Sequence, residues 1–147
     1  MGFTQLLLDG LAAYLDARGV GVWSPAAPYP PGVVGIVVGD LQQAPDRQIA
    51  MRLYGRTPHP EGLSDVTMRV QLRVRGAPGD VHGADAIADA AQDVLDNAQR
   101  LFLPNGVPVV QIVQSVSAPI GTDTAGRYER ADSYAIDTQH ETALRFD

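Results

Sequence analysis

The 147-residue chain contains no cysteine, which removes disulfides, thiolate metal sites and cysteine nucleophiles together. It contains no lysine either: all 11 basic residues are arginine, and 14 of the 17 acidic residues are aspartate. A P-loop requires a lysine, and the glycines of GVVGIVVGD match neither that motif nor G-x-G-x-x-G, so a phosphate cradle is not expected. The serines lack a nucleophile-elbow pattern. No apolar run approaches the roughly 20 residues of a bilayer-spanning helix, so no membrane partner is expected. The opening MGFTQLLLDG has an acid at position 9 and no basic segment, and does not read as a signal peptide, which points to the cytoplasm that makes the protein. A net charge of -6 opposes tight sequence-independent binding to nucleic acid, which depends on neutralising phosphates. It leaves room for DNA passing an acidic surface without sticking.

What is present has the proportions of an ordinary globular protein, 45% apolar and 19% charged. The length suits one domain, 1–147, able to bury about 70% of the surface its unfolded chain exposes. Residues 3 to 18 put Phe3, Leu7, Leu11, Tyr14 and Leu15 on one helical stripe that Gly19 ends. Val20 to Trp23 suits a short strand. SPAAPYPPG, with four prolines from Pro25 to Pro31, must be an extended loop. VVGIVV, 33 to 38, has the β-branched character of a buried strand. Alternation from Arg47 to Tyr54 predicts a half-buried strand with Ile49, Met51 and Leu53 inward. GRTPHPEGLSD reads as a long exposed loop. Residues 66 to 75 give the clearest period of two: Val66, Met68, Val70, Leu72 and Val74 inward, Thr67, Arg69, Gln71, Arg73 and Arg75 outward. A second helix is predicted from about Val81 to Phe102, burying Ala84, Ile87, Ala91, Val94, Ala98 and Leu101. A strand from Val107 to Ser117, a loop PIGTDTAGR and a last strand RYERADSYAID follow. The order α-β-β-β-β-α-β-β predicts an α+β fold: an antiparallel or mixed sheet of five to six strands with two helices on one face.

Chemistry finds little purchase. His59, His82 and His140 are far apart, and His59 with its near acid, Glu61, suits an exposed turn better than a metal site. No cofactor is expected. In the last strand, Arg127, Glu129, Arg130 and Asp132 alternate signs and would neutralise one another, leaving no acid tuned for catalysis. Its small residues Ala131, Ser133 and Ala135 are expected under a helix, with Tyr134 and Ile136 on the open face. The helix acids Asp85, Asp89 and Asp93 are four apart and crowd one face, at a cost of a few tenths of a kcal/mol per pair. They form a solvated face, or one that meets basic residues of a neighbouring subunit, or one that repels DNA in a lumen. Arg69, Arg73 and Arg75 would stand on the open face of the sheet, where pairing with carboxylates of another copy would stabilise assembly. Two patches of opposite sign on one chain suit a head-to-tail ring of identical subunits.

AYLDARGVGVW, YPPGVVGIVVGDL, PDRQIAMRLYG, VQLRVRG and SAPIGTDTAGRYERADSYAID, in that order over almost the whole chain, resemble the minor capsid or tail-terminator family of long-tailed bacteriophages (siphoviruses), especially those infecting actinobacteria. The resemblance implies a structural virion protein at the head-tail junction. It would assemble in the host cytoplasm as a homo-oligomer, a hexameric ring, that caps the tail tube protein, ends tail polymerisation and offers a joining surface to head connector or neck proteins. Genomic DNA would pass through its lumen. It also implies that residues 55 to 65 and 118 to 127 contact tube or connector. A head-completion or connector protein is the neighbouring alternative, and a small hydrolase using His59 or His140 with an aspartate is the alternative of another class.

Overall fold

The computed structural model describes residues 2–146. The helix α1 spans Phe3–Ala17 and buries Leu7, Leu8, Leu11 and Leu15, the stripe its sequence spacing lays along one side. Gly10 sits in that stripe for a steric reason. A Cβ there would lie 2.5 Å from Asn105 Oδ1 and 2.9 Å from Leu103 Cδ1. The close approach lets Asn105 Nδ2 donate to the Leu6 carbonyl at 2.8 Å, docking α1 onto the turn that follows Leu103.

Seven strands form a single mixed sheet: β1 (Val22–Trp23), β2 (Gly35–Val38), β3 (Gln48–Pro58), β4 (Asp65–Pro78), β5 (Gln99–Phe102), β6 (Pro108–Thr122) and β7 (Arg127–Gln139). Their order across the sheet is β1-β2-β3-β4-β7-β6-β5. The first three are parallel to one another, and from β3 to β5 every neighbour is antiparallel. The second helix, α2 (Gly83–Leu95), enters beside Gly76 of β4, where an added Cβ would lie 2.8 Å from the Ala84 nitrogen. Both helices pack on one face, joined by Tyr14 Oη donating to the Val94 carbonyl at 2.8 Å. Their apolar stripes share one core with Ile49, Met51, Met68, Val70, Leu72, Tyr134 and Ile136.

The α+β class and the two helices on one face agree with the sequence pattern; four details differ. The sheet has seven strands instead of five to six because α2 stops at Leu95, and residues 99–102, expected as its last turn, form β5. Asn97 turns the chain at φ 65°. The spacing of Val94, Ala98 and Leu101 suits a helix, yet the three pack on the core from a helix end, the turn after it and a strand. The expected loop at 55–65 shrinks to residues 59–64, since β3 runs to Pro58 across a bulge between Leu53 and Gly55 and β4 starts at Asp65. Likewise, much of 118–127 continues β6 to Thr122, paired with Tyr128. Finally, β7 is turned over relative to expectation. Its register sets Tyr134 beside Val70 and Ile136 beside Met68 on the helix side, with Ala131, Ser133 and Ala135 on the open side. Burying a tyrosine and an isoleucine outweighs the close approach that small residues would allow.

Candidate functional site: charge clusters on the two faces of the sheet

On the helix side of β7, Arg130 gathers three carboxylates. Its Nε and Nη2 donate to Asp132 Oδ1 and Oδ2 at 2.9 and 3.0 Å, a bidentate pair. Its Nη1 reaches Asp89 at 2.9 Å and Asp85 at 3.4 Å on α2. Asp132 is only 1% exposed and also accepts from Ser117 Oγ at 2.6 Å. The hydrogen bond to Asp132, aided by those to Asp89 and Asp85, raises the Arg130 pKa above an already high value despite partial burial. The crowding of acids along α2 is thus relieved within the chain at Asp85 and Asp89. Asp93, one turn further on, is exposed, with no ion pair among the described residues.

The open face is arranged differently. Arg73 Nε donates to Glu129 at 2.8 Å across the sheet, and Arg52 pairs with Asp40 at 2.7 Å. Arg69 Nη1 takes a neutral partner, Thr57 Oγ1, at 2.6 Å. Arg73, Glu129, Arg52 and Asp40 border a shallow depression of about 320 Å³ that Ala50 and Gln71 also line. Its acids and bases already satisfy one another, which suits a contact surface better than acid-base chemistry.

Arg75, expected in the exposed row, is 3% exposed. Its guanidinium donates to the carbonyls of Asp46 (2.7 Å), Gln42 (2.8 Å) and Pro45 (2.8 Å). The fully buried Gln48 adds Nε2 bonds to the carbonyls of Gln42 and Pro45. Together they hold residues 42–46 onto the sheet. Burial, then the nearby charge of Arg127, lowers the Arg75 pKa from its usual value. Arg127 closes the same corner: it pairs with Asp123 at 2.8 Å and Asp46 at 3.1 Å. Asp123 Oδ1 caps the turn by accepting from the Ala125 and Arg127 nitrogens, and these bonds, the Arg127 nitrogen first, lower its pKa.

The ten charges picked out in the sequence therefore separate. Arg130, Asp132, Asp85 and Asp89 form one cluster. Arg73 and Glu129 form a second on the other face, and Arg75 and Arg127 secure the 42–46 loop. Arg69 and Asp93 stand apart. Sequence reasoning missed Gln48, Asp46 and Asp123; of these only Asp123, two residues before the Ala-Gly of a turn, carried a local signal. His140 stacks on Phe3 with ring centroids 4.2 Å apart, and its Nδ1 lies 3.3 Å from Arg56 Nη2. Burial and then the Arg56 charge lower its pKa from the ordinary histidine value. Among the described residues no three His, Asp or Glu side chains converge as metal ligands would.

A family model described as bacteriophage tail terminator protein matches residues 14–140. The chain belongs to that family. Membership makes it a structural component of a phage virion, as the order of its motifs implied. The match takes in the whole sheet, α2, the last turn of α1 and all of the charge clusters above. A solved chain from a structure titled virion of native gene transfer agent particle shares the fold with a TM-score of 0.52 at 15% identity, over 71% of this chain and 78% of that one. No curated protein matches the sequence.

Proposed function

We propose that this chain is the subunit of a ring, hexameric by analogy with the resemblance, that caps the tail tube of a long-tailed phage, ends its polymerisation and presents a joining surface to the head connector. The family match over residues 14–140 is the observation that carries the reading. A structural neighbour from a virion particle is consistent with a place among tail or neck proteins. The charge left over after the internal pairs is of opposite sign in different places, Asp93 on α2 and Arg69, whose partner Thr57 is neutral, and a head-to-tail contact needs two unlike patches of this kind. A net charge of -6 suits a lumen through which DNA slides without being held. The hairpin tips around residues 59–64 and 123–126, at opposite ends of the long strands, are the contacts proposed for tube and connector.

Electron microscopy of the purified protein, alone and mixed with tail-tube protein, tests this. Rings are expected, and in virions the density belongs at the head-proximal end of the tube. Tubes assembled without the chain should lose their uniform length. Density on the connector side, with tube length unaffected, would instead make it a head-completion protein, and a protein that stays monomeric with tube protein present would sink the reading.

A further inference from the structure

The sheet has two unfinished edges. On β3, pairing with β2 covers only Gln48 to Met51, and the Met51 carbonyl takes the Gly39 nitrogen. From Arg52 to Pro58 the outer edge has no backbone partner among the described residues. On β6, pairing with β5 covers Pro108 to Gln111, Ala98 and Asn97 serve Ile112, and the Asp96 carboxylate takes the Gln114 nitrogen at 2.9 Å. From Ser115 to Thr122 the outer edge is likewise open. A strand with a free row of N–H and C=O groups is a template for another strand unless it is blocked.

The two runs match in several respects. They are similar in length and lie at diagonal corners: the β3 run beside the 59–64 hairpin, the β6 run beside the 123–126 turn. Because β3, β4, β7 and β6 alternate in direction, a second copy set alongside in the same orientation brings its β3 antiparallel to β6, continuing the alternation. The β3 run carries Arg52, paired with Asp40, and Arg56 and no acid, whereas the uncharged β6 run is flanked by Asp96, which accepts from the Gln114 nitrogen, and by Asp123 of the turn, which pairs with Arg127. Exposed apolar side chains line both, Tyr54 at 50% on β3 and Val116 at 58% and Ile120 at 48% on β6. Pro58 and Pro119 lack N–H groups, which confines pairing to a short run.

We propose that the open run of β6 pairs antiparallel with the open run of β3 from a second copy of this chain, so that neighbouring subunits share one continuous sheet. The inference rests on the ring reading above and supplies its contact. Diagonal corners require each subunit to be staggered along the strand direction relative to the last, the offset that a sheet needs in order to close on itself.

The chain has no thiol of its own, so introduced cysteines report the contact cleanly. Tyr54→Cys combined with either Val116→Cys or Ile120→Cys in the full chain, assembled and then oxidised, should give a ladder of covalently linked subunits on non-reducing gels. Each single variant should give none. Rings seen by microscopy without a ladder from either pair would overturn the shared sheet while leaving the ring. Linked dimers from Val116→Cys or Ile120→Cys alone would mean that β6 meets its own copy, which also overturns it. Monomers throughout, with and without tail-tube protein, would remove both the contact and the ring.

Discussion

Asp132 is the residue on which the charged side of β7 depends. It is buried, meets Arg130 with both oxygens and takes the Ser117 hydroxyl. Removing one partner of a buried pair strands the other, so Asp132→Ala should lower the unfolding free energy by about 3 kcal/mol, measured by urea denaturation. Retention of wild-type stability would mean that Asp85 and Asp89 alone satisfy Arg130. His140 gives a pH dependence whose sign is set by its lowered pKa. The unfolded state takes up a proton before the fold does, so the contribution of His140 is present above its ordinary value, about 6.5, and is lost as pH falls through that region. The urea midpoint of the wild type should therefore decline between pH 7 and 5 more steeply than that of His140→Gln; equal slopes would show that burial against Phe3 and Arg56 does not perturb the ring.

Among the elements, α1 is the one whose sequence and packing agree most closely, and Gly10 shows the limit of local reasoning. Alanine is the better helix former by roughly 1 kcal/mol. At this position, however, its methyl group would collide with Asn105 and Leu103, so Gly10→Ala should destabilise by about 1–3 kcal/mol in the same denaturation assay. A stabilised variant would show that the turn after Leu103 yields easily. The end of α2 carries the opposite lesson. Helical spacing continues through Ala98 and Leu101, but the backbone leaves the helix after Leu95, and Asn97, a residue suited to positive φ, was the one local sign of it. The strands β3, β4, β6 and β7 were legible at their centres, where alternation is strong. Their ends were not, because Gly55, Pro58, Pro119 and Gly121 read as loop residues although cross-strand pairing carries the ladders past them.

At the scale of the whole molecule, most of the charges hold the fold together, and the proposed ring leaves Asp93 to meet a neighbour. Asp89→Arg should lower stability, since it sets a cation against Arg130, whereas Asp93→Arg should change it by less than about 0.5 kcal/mol and act on assembly alone. Thermal unfolding of the monomeric fraction, beside the assembly state by light scattering, separates the two; equal losses would mean that Asp93 also serves the fold. The sequence by itself determined the α+β class, the inward face of β4, the stripe of α1 and the resemblance to tail terminators, because these rest on periodicity and motif order spread over many residues. Only the tertiary structure decided which face of β7 is buried, that Arg75 holds a loop, that Arg130 collects the acids of α2, and that two diagonal edges are left open. The first three depend on partners 29 or more residues away in the chain, as with Arg75 and Asp46, and the open edges on where the short strands β2 and β5 stop pairing, neither of which leaves a trace in local pattern.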